Sequence, residues 1–380
     1  MAKVKIITPV HIGDGEKIEA PCFHRINGQV NRYRFTDLFE QLPVSKLTDS
    51  EFLNRLQKNS SSRSDLYSVF NQIDYTKIQP LYSVFYEWDG IASNRDVASQ
   101  AKSCEKPYIP GSTLKGAIEN AFNYALLLQF YKKKKDQIEV FLNSNPRITE
   151  GYMLKMLFGD PCDKADSFMK EFYSCLSCAD IYFDQIEVND AKRWNIYKKN
   201  SNKIPLEAPE CIMAGQESTI NNLVQFDTVK IKQLKEDDNF PQEYRRILSF
   251  LKIPNIAKAC NWYIKDILKI EQSEDLHRFY WDFEPINHSI QEIKTLIASC
   301  QPNQFYLRVG MHTNYFAKTV SVFFKEKMPE IYQDKFNDLF APAKKRGRKS
   351  SDAENMPVTR TILFNEREGN MLAGFIKVEL

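Results

Sequence analysis

The chain has 380 residues, 43% of them hydrophobic, and its 52 basic and 49 acidic side chains leave a net charge of only +3. That composition supports sizeable cores and excludes wholly disordered, collagen-like and coiled-coil designs, and a near-neutral charge singles out no partner class. No apolar run approaches the roughly 18 residues of a membrane helix and the first residues are too briefly apolar for a secretory signal, so a soluble, intracellular protein without membrane contact is expected. Eight cysteines at irregular positions fit reduced thiols in a cytoplasm.

With only 13 glycines, their clusters mark where the backbone turns or approaches something closely. The chain opens on a β-rich run, Val4 to Thr8, broken by Pro9 and followed by the loop His11-Ile12-Gly13-Asp14-Gly15. Asp37 to Asn59 has helical character and ends in a polar linker, Asn59 to Ser62. Pro110-Gly111-Ser112 opens a helix with Ser112 as the expected N-cap. Leu114, Ile118, Ala121, Phe122 and Ala125 recur at helical spacing, and the helix is expected to end near Tyr131, before the four cations Lys132 to Lys135.

Tyr152 to Phe158 is expected to be helical, and Ala179 to Val188 and Glu210 to Thr219 have the content of strands. Helices are expected over Tyr244 to Leu251, Ile256 to Ile270 and His288 to Ser299, then a strand over Phe305 to Val309, a turn at Gly310 and a helix from Tyr315 to Lys327. A basic segment, 341–355, lacks apolar groups in its first part and reads as a mobile loop. The chain closes on a strand in which Ile376, Val378 and Leu380 alternate with Phe375, Lys377 and Glu379, one set facing the core and the other water. Strands and helices mixed without regular βαβ alternation define an α+β class.

Several groups carry chemical meaning. Gly111 and Ser112 at a helix start expose backbone N–H groups, and Lys115 one turn later adds positive charge, an arrangement that suits a phosphate, although the sequence is not a Walker A loop. His11 could serve as general acid or base in 2′-hydroxyl attack on a phosphodiester, while a purely geometric role for its loop is the plainer alternative. His24-Arg25 could extend the same surface. Cys175-Leu-Ser-Cys178 has the spacing of half a zinc site but lacks a second pair, so no metal is expected. Lys344, Lys345, Arg346, Arg348 and Lys349 would strengthen nucleic-acid binding by counterion release if they meet phosphates, or form a passive solvated loop.

Taken together, a first strand ending in Thr8-Pro-Val-His-Ile-Gly-Asp-Gly15 and, about a hundred residues later, Tyr108-Ile-Pro-Gly-Ser-Thr-Leu-Lys-Gly116 resemble the RAMP superfamily of CRISPR-associated RNA-binding proteins. Leu157-Phe158-Gly159, Pro357-Val-Thr-Arg360, Gly369 and Ala373-Gly374-Phe375 look most like the fifth-subunit family of type III-A Csm effector complexes. The resemblance implies two ferredoxin-like, RRM-type domains with helical insertions, here divided as 1–225 and 226–380. It also implies a non-catalytic subunit that binds crRNA toward its 3′ end, caps the backbone filament and supports crRNA maturation, without a cofactor. Its implied partners are crRNA, the backbone RAMP subunit and the small helical subunit, with target RNA nearby, in a prokaryotic cytoplasm.

Carried onto this chain, the resemblance gives His11, Gly13 and Gly15 as first-loop positions, Gly111, Ser112 and Lys115 as a helix-start contact, and Arg360, Gly369 and Gly374 as the C-terminal motif. Phe375 is a candidate to stack on a base. Where target-cutting relatives present an aspartate, this chain has Glu19-Ala20-Pro21. The competing functions are a metal-independent endoribonuclease that processes crRNA precursors through His11 and a scaffold that touches little RNA.

Overall fold

The computed structural model describes residues 1–18, 20–26, 29–57, 69–70, 72–85, 97–144, 165–195, 203–205, 208–240, 242–272, 283–335, 359–365 and 369–380. The expected helix at 152–158 and the basic cluster Lys344 to Lys349 lie outside them, as does Glu19.

The two ends of the chain meet in one sheet. The first strand, Ala2–Ile6, lies between Glu217–Ile220 and the last strand, Phe375–Glu379, which in turn pairs with Gln304–Arg308, all antiparallel. The register puts Val4 opposite Val378 and Ile6 opposite Ile376, with Phe305 and Leu307 continuing the rows. All six side chains are buried, each worth roughly 1.5–3 kcal/mol when fully removed from water. Lys3, Lys5, Lys377 and Glu379 alternate with them, and Lys3 pairs with Glu217 at 2.5 Å. The alternation expected for the last strand holds except at Phe375, which is fully buried because it packs against Arg308 on the neighbouring strand. It therefore has no face free for a base.

Two long helices pack beside this sheet. Gly111–Ser144 runs beyond the expected end at Tyr131 and breaks only at Lys134 (φ −144°, ψ 42°), inside the lysine run. Ile256, Cys260, Tyr263, Ile264, Ile267 and Ile270 form the buried stripe of Ile253–Glu271, which carries Pro254 in its first turn and ends on the buried Glu271. The principal core spans both the 1–225 and 226–380 segments, since it joins Val4 and Leu114 to Ile264 and Val378.

A second sheet is ordered Ile186–Val188, Ala208–Ile212, Val97–Gln100 and Gly13–Ile18, its central pair parallel. A smaller core below it includes Ile18, Tyr33, Phe52 and Val97. The strands Thr359–Asn365 and Gly369–Leu372 form a hairpin that pairs with Asp190–Asn195.

Other expected elements are shorter. Asp37 to Asn59 contains the helices Phe35–Glu40, Val44–Leu47 and Ser50–Gln57, interrupted at Pro43. Tyr315 to Lys327 divides into a 3₁₀ turn, Tyr315–Lys318, and a helix, Ser321–Lys327. Ala179 to Val188 and Glu210 to Thr219 each split into short strands.

Candidate nucleic-acid interface

The first glycine segment is a bulged edge strand. Gly13 pairs with Gln100 while Lys17 pairs with Ala98, so extra residues bulge between them, and Gly15 supplies the positive φ (90°) that the bulge uses. Asp14 holds the turn through Glu16 N–H at 2.8 Å and the Ser99 hydroxyl at 2.8 Å.

Three further segments close on this one. Met311 N–H donates to the His11 carbonyl at 2.8 Å, Val309 N–H to the Gly374 carbonyl at 2.8 Å, and Gly374 N–H to the Pro9 carbonyl at 3.0 Å. Gly310 (φ 89°) and Gly374 (φ 93°) are required here twice over. A Cβ at Gly310 would sit 2.4 Å from the His11 carbonyl oxygen, and one at Gly374 would sit 2.4 Å from that of Val309. The first and last glycine clusters are thus neighbours, although Gly369, at the hairpin end opposite Asn365, serves a separate turn.

The helix-start segment faces the same place. A cleft of about 330 Å³ lies between Gly13, the first turns of the long helix at Thr113, Gly116 and Asn120, and the loop that follows Gln304–Arg308. Arg308 and Lys318 supply its charge, and no carboxylate is among the described residues that line it. Two turns about a hundred residues apart therefore form one concave, positively charged surface.

The helix start differs from its sequence expectation. The helix begins at Gly111 itself, with the Pro110 carbonyl accepting from Thr113 and Leu114 N–H, so Ser112 is an exposed first-turn residue and not the N-cap. Gly111 N–H donates to Asp180 at 2.7 Å, which commits one of the free amides to a protein carboxylate. Glycine is needed at 111 because a Cβ would lie 2.0 Å from the Cys178 carbonyl oxygen. Lys115 is half-buried and 3.8 Å from Glu119.

His11 is fully buried. Its Nδ1 bonds the Glu210 carbonyl at 2.7 Å, its ring stacks on His312 at 5.4 Å, and the Nε2 atoms of both rings are buried without a hydrogen bond. Burial lowers the pKa of both imidazoles, that of His312 to about 3, where His11, Lys318 and Arg193 add to the effect. Burial thus disfavours the charged form of both rings, which pack the loops together. His24 stacks on Tyr75 at 4.1 Å, and the backbone of Arg25 lies in the neighbouring strand Phe23–Ile26.

Sequence reasoning overlooked Gln100, which joins the two motifs. Fully buried, its side chain accepts from Ile12 N–H at 2.8 Å and donates to the Tyr108 carbonyl at 3.2 Å. Its own N–H donates to Glu210, which also pairs with Lys102 at 2.5 Å. Burial pushes Glu210 up to about 7, against the Gln100 N–H bond that favours its charge, and pushes Lys102 down to about 8.

Arg360 corrects another expectation: it is 4% exposed and its Nε lies 2.6 Å from Glu271, so it is a buried structural cation. Cys175 and Cys178 are free thiols pushed up by burial, Cys178 to about 12, and no group of three metal-ligating residues occurs among the described residues.

An antiparallel sheet with flanking helices and a glycine-edged cationic cleft is the frame of the fold, and the chain belongs to the RAMP superfamily, whose model matches residues 3–343. Among individual relatives, it is 24% identical over 405 aligned positions to the CRISPR system protein Csm5 of Methanocaldococcus jannaschii, covering all of this chain and 88% of that one. One chain of the cryo-EM structure of a Csm–crRNA–target RNA ternary complex from a type III-A CRISPR–Cas system superposes with a TM-score of 0.69 at 18% identity, over the full length of both. The crystal structure of T. onnurineus Csm5 gives 0.60 at 16%, again over both chains in full. These two likenesses are of fold.

Proposed function

We propose that this protein is a non-catalytic, crRNA-binding subunit of a type III-A Csm complex, a counterpart of Csm5. The carrying observation is the convergence of the Gly13 bulge and the start of the long helix on one cleft that holds Arg308 and Lys318 and no carboxylate. A polyanionic strand gains from such a surface by neutralisation of phosphates and release of counterions. Gly116, where a Cβ would meet nothing within 4 Å, keeps the wall of the cleft low for a sugar-phosphate backbone. Gly15, Ser112 and Lys115 lie along the same segments as rim contacts, and the cluster Lys344, Lys345, Arg346, Arg348 and Lys349 supplies further phosphate contacts.

Binding toward the 3′ end of the crRNA, capping of the filament beside the backbone RAMP and small helical subunits, support of crRNA maturation and a cytoplasmic location complete the proposal. Among the described residues no helix is long and apolar enough to cross a membrane. Two ferredoxin-like units at 1–225 and 226–380 belong to the proposal as well, each giving two strands to the four-stranded sheet formed by both chain ends and residues to one shared core.

The burial of His11 and the commitment of its Nδ1 argue against the endoribonuclease alternative, because a general base must reach the 2′-hydroxyl. Assembly with the other subunits of a type III-A complex and a repeat-containing transcript tests the proposal. The chain is expected to copurify with RNA and to crosslink near its 3′ end, while incorporation without any RNA crosslink would leave a scaffold.

A further inference from the structure

Arg308 occupies an unusual position for a cation. It is 3% exposed, yet it forms part of the cleft wall. Its Nε donates to the Ala373 carbonyl at 2.9 Å and its Nη1 to Glu271 at 2.8 Å, while the Phe375 ring lies 5.1 Å from Cζ. Glu271 is a shared counterion: Arg360 takes its other oxygen, and the Asn314 amide also donates to the oxygen that Arg308 uses. Nη2 of Arg308 has no hydrogen-bond partner among the described residues. The buried guanidinium shares its carboxylate with Arg360, and Arg308 lines an open cleft.

Lys318 stands on the same wall, exposed and without an ion-pair partner among the described residues. Burial, and after it the charge of Arg308, lowers its pKa. Thr113, Asn120 and Thr313 add neutral hydrogen-bonding groups beside them. The cleft is at the small end of the range for ligand pockets, about 300–1,000 Å³, so it takes a single group and not a folded RNA element.

We infer that Arg308 Nη2 and the Lys318 ammonium hold one phosphodiester group of a single RNA strand in this cleft, with Glu271 and the Ala373 carbonyl orienting the guanidinium for it. A fixed planar fork beside a mobile point charge matches the several oxygens of a phosphate. This site deepens the RNA-binding reading and rests on it.

A methylphosphonate scan tests the site. Single-stranded RNAs that each carry one uncharged methylphosphonate at a successive position are titrated against the full-length wild-type chain, Lys318→Gln and Arg308→Lys. Lys235→Gln, on an exposed helix elsewhere, is the control. The expected result is one position at which the neutral linkage weakens wild-type binding about tenfold but Lys318→Gln binding less than about twofold, with the control like wild type. Arg308→Lys is expected to keep the salt slope and lose affinity, because it retains the charge and loses the fork. Equal losses at every position in wild type and Lys318→Gln would overturn the single-phosphate site while leaving RNA binding intact. Absence of wild-type binding to any of the RNAs would overturn both readings.

Discussion

The two sides of the cleft are built on opposite principles. On the side of the first glycine segment the buried polar groups are committed inward: His11 to the Glu210 carbonyl and His312, Gln100 to Ile12 and Tyr108. On the side of the strand Gln304–Arg308, Glu271 is shared between two guanidiniums and Lys318 has no ion-pair partner among the described residues. One wall is made rigid so that the other can present charge at a fixed distance. Residue types that suggest chemistry, His11 above all, are here part of the rigid wall.

The comparison breaks most visibly at Glu271. Glu271→Leu leaves Arg308 and Arg360 buried without their carboxylate and is expected to cost about 3–5 kcal/mol in denaturant unfolding. A loss below about 1 kcal/mol would mean that the two arginines are compensated elsewhere. Gly310→Ala comes next, since it forces a Cβ against the His11 carbonyl at a positive φ; a loss of about 2–3 kcal/mol is expected, and an unchanged melting temperature would show that the two loops are not locked.

Gln100→Leu removes the amide that spans the two motifs and strands Ile12 N–H. About 1–3 kcal/mol of stability is expected to go, together with RNA affinity, and retained affinity in a destabilised variant would show that the motifs hold their places without it. A pH dependence is also expected. The folded pKa of His312 lies below its ordinary 6.5, at about 3, so the contribution of this group to stability is complete above pH 6.5 and is lost as pH falls toward about 3. His312→Asn tolerates the positive φ (63°) and is expected to flatten that acid limb; an unaltered limb would show that His312 is already accessible to protons.

Much of this was legible in the sequence because glycine is scarce in it: Gly13, Gly15, Gly111 and Gly374 mark bulge, helix start and loop contact where the structure has them. The helices with strong periodicity, such as Ile253–Glu271, are where the apolar spacing puts them. The charged wall was not legible. Arg308 ends a run of apolar strand residues, and a cation in such a run must find a partner, a signal that could have drawn notice; Lys318 and Gln100 give no local signal, since their roles arise from contacts across the fold. Arg360 and Phe375 show the converse error, in which a motif position and an aromatic near a glycine suggest surface while the register of the sheets takes both inside.

Photo-crosslinking of a thiouridine-substituted crRNA in the assembled particle, with the crosslinked peptides identified by mass spectrometry, tests the central claim most directly. The account predicts that one short stretch of nucleotides attaches both to the peptide containing Gly13 and to the peptide containing Thr113 to Asn120. Attachment of the two peptides to well-separated nucleotides, or of neither to RNA, would contradict it.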